Sequence, residues 1–271
     1  MRNMPTPSTS VLGVPIHAID YTACVNRVED WIRDNREQGT PTRYIATVNL
    51  DFIARTRGWT PVARRLKAFL NDAALCTADG MPLVWIQKCL GLREATRVTG
   101  IDLIGWIAAR AEARGHSVFL LGGSPDANQG ARESLQRRFP ALRLAGATPG
   151  INPEPGAGLR TPELVARINR FRPDVLLIAL GNPRQEFWFQ ENRDLLRVPV
   201  AMGVGGSFDF LSGRIARAPR WMQRSGLEWV FRLSREPRRL FQRYLRDALL
   251  LGPVLGFLFY RNFLKQEQHH A

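Results

Sequence analysis

The 271 residues contain no C-x-x-C pair, no D-x-D triplet, no internal repeat and no apolar stretch of membrane-spanning length. Each absence excludes something. Cys24, Cys76 and Cys89 are scattered, and His17, His116, His269 and His270 share no ligand spacing with them. That pattern argues against a structural zinc and for a reducing compartment. Without D-x-D, the commonest acidic cradle for a divalent ion is missing, so no metal and no other cofactor is expected. The longest apolar run, Ala248 to Tyr260, has 13 residues and is interrupted by Gly252-Pro253. A bilayer span needs about 20. The opening MRNMPTPSTS lacks the apolar core of a signal peptide, and residues 1–10 read as a mobile tail. These features lead us to expect a cytoplasmic protein, peripheral to a membrane face.

What is present is positive charge and apolar bulk. Hydrophobic residues make up 45% of the chain, enough for a full core without disulfides. The formal net charge is +14. Between Arg214 and Arg246 stand ten arginines, no lysine and only Glu228 and Glu236, so this segment alone contributes +8. A field so concentrated implies an anionic partner: nucleic acid, a lipid surface or a phosphorylated substrate.

Short apolar runs alternate with helical spacing. Tyr44–Asn49, Ala74–Ala78, His116–Gly123, LRLAGA, DVLLIALG and VPVAMGVGG read as strands. Their apolar runs are continuous, as for strands buried on both faces. The expected fold is therefore α/β: one Rossmann-like domain over 11–213 with a mostly parallel sheet. Beyond Gly213 no strand is read, and 214–271 should form an arginine-rich, amphipathic helical appendage. One stripe there is Leu227, Val230, Phe231 and Ser234, opposite Arg224, Glu228, Arg232 and Arg235. A second is Leu240, Phe241, Tyr244, Leu245, Ala248 and Leu249, opposite Arg239, Arg243 and Arg246. The second stripe fits an interfacial helix on an anionic membrane.

Parallel sheets bind ligands at the carboxyl ends of their strands. Thr47 and Asn49 fall at one such end, Asp79 at another, Gly122 and Gly123 at a third. Gln185 and Glu186 follow the fifth strand, and Gly205, Gly206 and Asp209 the sixth. Each has a plainer reading. Asp79 suits a helix N-cap, and so do Thr47 and Asn49. The glycine pairs suit ordinary turns as well as close approach to a diphosphate. Gln185 and Glu186 suit a first helical turn, and Arg97 a solvated loop.

The combination is far more specific than its parts. TVN (Thr47–Asn49), ADGMPLVW (Ala78–Trp85), RVTGIDL (Arg97–Leu103), FLLGG (Phe119–Gly123), ALGNPRQE-x-W (Ala179–Trp188), GVGGSFDFLSG (Gly203–Gly213), RAPRWMQRSGLEWVFRL (Arg217–Leu233) and EPRRLFQRY (Glu236–Tyr244) occur in order. Over Val11 to Tyr244 the chain resembles the WecG/TagA/CpsF family of bacterial glycosyltransferases. The resemblance implies inverting transfer of a sugar, N-acetylmannosamine-type or glucose, from a UDP-sugar. The acceptor would be a polyprenyl-diphosphate-linked sugar, in cell-wall or exopolysaccharide synthesis at the cytoplasmic face of the inner membrane. It makes Asp79 the candidate base, with Thr47 and Asn49 beside it. It makes Arg97, Arg214, Arg217 and Arg220 candidate substrate contacts. With no D-x-D, arginines and helix N-termini remain to stabilise the UDP leaving group. Arginines among aromatics also suit nucleic acid, but no nucleic-acid motif is present and the strand-end residues would go unused, so no nucleic-acid partner is expected. A non-catalytic scaffold of the same fold would not need Thr47, Asn49, Asp79, Arg97 and Gln185 together.

Overall fold

In a computed structural model, residues 6–148, 158–235, 237–238, 240–242, 244–249, 252, 256 and 260 are described. The chain opens with a hairpin of β1 (Ser8–Val11) and β2 (Val14–His17), then α1 (Tyr21–Gln38), β3 (Arg43–Val48), α2 (Leu50–Arg55), α3 (Pro61–Asp72) and β4 (Leu75–Ala78). Next come α4 (Met81–Cys89), α5 (Gly100–Arg114), β5 (Ser117–Gly122), α6 (Pro125–Arg138) and β6 (Arg143–Thr148). The last part holds α7 (Pro162–Phe171), β7 (Val175–Ala179), α8 (Arg184–Asn192), β8 (Val200–Gly203), α9 (Ser207–Leu211), α10 (Arg220–Arg224) and α11 (Glu228–Arg235).

Eight strands form one sheet in the order β1-β2-β4-β3-β8-β7-β5-β6, parallel except for β1. The single Rossmann-like α/β domain expected from the strand–helix alternation is what forms. Period-two alternation explains the continuous apolar runs. In β5, Phe119 and Leu121 enter one apolar layer, while Val118 and Leu120 enter the other. The first layer is closed by α3, α4, α7 and α8, the second by α1, α5, α6 and α9.

One expectation needs correction. The N-terminal tail is shorter than 1–10, because Ser8–Ser10 pair with Pro15–His17 at the sheet edge; residues 1–5 lie outside the described residues. The stretch after β3 forms two helices, α2 and α3, because Gly58 takes φ +103 and Pro61 begins α3.

Past α11, residues 237–238, 240–242 and 244–249 are helical. Leu240 and Asp247 are buried, and Arg246 is ion-paired with Asp51 of α2, so this segment docks on the α/β domain. Its other face is open: Phe241, Leu245 and Leu249 are 59%, 49% and 70% exposed. The second stripe is thus divided, with Leu240 facing inward and those three, one turn apart, facing outward. Arg239, Arg243 and most of 250–260 lie outside the described residues. No helix among the described residues is long and apolar enough to cross a membrane.

Candidate functional site

The carboxyl ends of β4, β3, β8 and β7, four neighbours at the centre of the sheet, gather the polar residues. Register does the gathering: Val48 pairs with Ala78, so Asn49 and Asp79 leave adjacent strands together. The Asp79 amide donates to the Val48 carbonyl at 2.7 Å. The N-cap of α4 is Gly80, and no side chain caps it. Asp79 therefore has no capping role. Its carboxyl is pushed up to about 6 by burial, against the opposing pull of Arg97; Glu228 raises it further, and Arg232 and the Gly100 amide lower it.

Glu228 and Arg232 reach Asp79's neighbourhood from the appendage. Arg97 Nη1 donates to Glu228 Oε2 at 3.2 Å, and Arg217 Nε to Glu228 Oε1 at 3.4 Å. Arg217 also grips Asp102 of α5 with two bonds of 2.5 and 2.7 Å. Burial alone would raise Asp102, but Arg217 and the Thr99 hydroxyl hold it below the usual carboxylate range. The Arg232 guanidinium lies 5.4 Å from the Phe210 ring centre, and its buried Nε has no hydrogen-bond partner among the described residues. Sequence reasoning gave Glu228 no site role, and among the tail arginines it singled out Arg214, Arg217 and Arg220 rather than Arg232. Glu228's being one of two acids in a run of ten arginines was the available signal.

Other expected contacts turn out differently. Thr47 is buried and donates to the Gly203 carbonyl at 3.2 Å, a strut between β3 and β8 in the cleft floor. Asn49 caps α2, its Oδ1 accepting from the Phe52 amide at 3.2 Å. Gly122 is buried and Gly123 half-buried, and the contacts they make lie within the fold. The Gly123 N–H is bonded to the Ala179 carbonyl at 2.9 Å, and a Cβ on Gly122 would stand 2.6 Å from that oxygen. Gly122 is a glycine because β5 and β7 pass too closely for a side chain, and Gly123 because it takes φ +74 with the Phe208 ring 3.2 Å from where a Cβ would stand. Arg214 is paired with the exposed Asp126 and with Asp209 at 2.8 and 3.9 Å. Arg220 stands exposed at the start of α10.

Gln185 and Glu186 are also corrected. Both are buried, at 2% and 0% exposure, so Glu186 cannot touch a substrate. Its carboxylate accepts from Gln185 Nε2, Asn182 Nδ2 and Tyr44 Oη at 2.7, 3.0 and 3.1 Å. Gln185 Oε1 accepts from the Gly205 amide at 3.0 Å. Gly205 takes φ +51 with open space where a Cβ would stand, and Gly206 beside it is exposed. This turn, unlike Gly122-Gly123, faces out. A 990 Å³ cavity lined by Arg36, Arg143, Asn169, Arg172, Asp174 and Arg197 opens at the other end of the sheet, remote from Asp79.

Fold and site together define an α/β protein whose central strand ends set one carboxyl of raised pKa, Asp79, among arginines. The chain belongs to the glycosyl transferase WecG/TagA/CpsF family, whose model matches residues 9–268. It is similar to an N-acetylglucosaminyldiphosphoundecaprenol N-acetyl-beta-D-mannosaminyltransferase of Bacillus spizizenii, 33% identical over 65% of this chain and 66% of the relative. A protein of the same description from Staphylococcus aureus is 28% identical over 87% of each chain. The match to a Bacillus subtilis relative so described, 32% identical, covers 63% of this chain and 64% of that protein's length.

Proposed function

We propose that this chain transfers a hexose from a UDP-sugar to a hydroxyl of a polyprenyl-diphosphate-linked sugar, with inversion at the anomeric carbon. The observation that carries the reading is Asp79. It follows β4 with its carboxyl raised to about 6, in the field of Arg97 and of an Arg232 whose buried Nε has no hydrogen-bond partner among the described residues. A general base works best with a pKa near the working pH, and an unpartnered buried guanidinium nitrogen calls for an anion. In the step, the acceptor oxygen bonds to the anomeric carbon as its proton passes to Asp79. The bond from that carbon to the UDP oxygen breaks, and its electron pair leaves on UDP. Arg97, Arg232 and the outward turn at Gly205-Gly206 would take up the charge.

The relatives' printed names support N-acetylmannosamine as the sugar and N-acetylglucosaminyl-diphospho-undecaprenol as the acceptor; glucose is the second donor to test. A lipid acceptor needs the cleft at a bilayer, and the exposed Trp221, Trp229, Phe241, Leu245 and Leu249 give the appendage an apolar outer surface for that. The protein would then sit peripherally, at the cytoplasmic face. Because arginines supply the countercharge, transfer is expected to survive excess chelator. The decisive experiment is a panel of UDP-sugars with diphosphate-lipid acceptors ending in glucose or N-acetylglucosamine. Product from none of them overturns the reading, and loss with chelator restored by magnesium overturns the arginine assignment.

A further inference from the structure

Glu186 is a fully buried carboxylate whose three side-chain partners are neutral donors. Burying an ionised group without a countercharge is unfavourable, and burial pushes this one up to about 7 against the pull of those hydrogen bonds. The neighbouring geometry shows what the carboxylate does.

The donors come from three places: Tyr44 in β3, Asn182 in the turn after β7 and Gln185 in the first turn of α8. Glu186 Oε1 is the acceptor that Gln185 faces, so it takes the NH₂ end of the Gln185 amide. With Nε2 fixed there, Oε1 must point the other way, and it meets the Gly205 N–H at 3.0 Å. The flipped amide would set oxygen against carboxylate and NH₂ against N–H. Gly203 makes the approach possible, since a Cβ there would collide with Tyr44 Oη and Gln185 Nε2. So one carboxylate fixes one amide, and that amide fixes the turn beyond β8.

We propose that Glu186 is a positioning residue: through Gln185 it holds the Gly205-Gly206 turn in the shape that receives the donor's diphosphate. The inference rests on the UDP-sugar reading above and assigns the turn's shape, not its chemistry, to Glu186.

The test compares Glu186→Gln, which keeps one acceptor oxygen, with Glu186→Leu, which keeps none. Amide exchange across 203–206 and UDP affinity by calorimetry are read on both, with donor KM and kcat. Ile32→Ala, in the apolar layer under α1, serves as a variant destabilised far from the turn. We expect faster exchange at 203–206 in both Glu186 variants. UDP affinity should fall and donor KM rise by about tenfold in Glu186→Leu, less in Glu186→Gln, with kcat nearly unchanged. Ile32→Ala should alter neither turn exchange nor KM. A folded Glu186→Gln or Glu186→Leu with wild-type exchange and wild-type UDP affinity overturns the proposal, as does a fall in kcat at constant KM. If Glu186→Leu does not fold, Glu186→Gln with Tyr44→Phe decides by the same readings. Failure of the wild-type protein to bind UDP would overturn the donor reading instead, and exchange at the turn would still decide whether Glu186 holds it.

Discussion

Asp79 and Glu186 are carboxyls that the fold keeps partly protonated near neutral pH, raised to about 6 and about 7 by burial. For a base that has consequences of known sign. Asp79 accepts a proton only when ionised, so kcat should climb as pH rises through about 6. Asp79→Asn should keep the fold and UDP binding while turnover falls roughly 10²–10⁴-fold, measured with saturating donor and acceptor; near-normal turnover in the folded variant removes Asp79 from the chemistry. Stability runs the opposite way. Both folded pKa values lie above the unfolded ones, so between about pH 4 and pH 7 the native state binds more protons than the unfolded state and loses stability as pH rises. Asp79→Asn should therefore be more stable than the wild type at pH 8, by on the order of 1–3 kcal/mol, and the gain should vanish near pH 4. Denaturant melts at the two pH values check this.

At the scale of elements, α11 and the loop before α10 join the α/β domain through charges: Arg97 to Glu228, Glu228 to Arg217, Arg217 to Asp102. Glu228 also raises Asp79. Removing its charge should favour the ionised Asp79, so in Glu228→Gln the acid limb of the kcat profile should move below its wild-type position. Arg97→Gln should move it up, because a favourable positive charge is lost, and should also weaken UDP binding. A limb that stays fixed in both variants would place these charges too far from Asp79 to act. This chain was not legible beforehand. Helical spacing showed Glu228 on the polar face of its stripe, but the partner of a polar face is set by residues far away in sequence, here Arg97.

For the whole molecule, the docked helix past α11 separates two roles that one apolar stripe had joined. Leu240 and the Arg246–Asp51 pair hold it to the domain, while Phe241, Leu245 and Leu249 remain outward. Replacing those three by serine should leave the fold and transfer to short, soluble acceptors near wild type. It should reduce flotation with anionic liposomes and slow transfer to long-chain acceptors, and wild-type behaviour in both would refute the membrane contact. Higher salt should weaken binding further if arginines contribute.

The sequence by itself determined the α/β class, the runs that became β3 to β8, the placing of the candidate polar residues at carboxyl strand ends and the family. Those follow from local signals: continuous apolar runs, helical spacing and motifs read in order. It did not show the β1–β2 hairpin, because Ser8–Ser10 read as a polar tail until they pair with Pro15–His17. Tertiary structure alone decided what each polar residue does. It left Asp79 free of a cap, put Asn49 to capping α2, closed Gly122-Gly123 against Ala179 and left Gly205 open. The two glycine pairs are the same letters in the same kind of position. They differ because β7 packs beside β5 closely enough to take the Gly123 N–H, whereas the Gly205 N–H meets only the amide of Gln185, and which strand lies beside which is a long-range choice that no local pattern encodes.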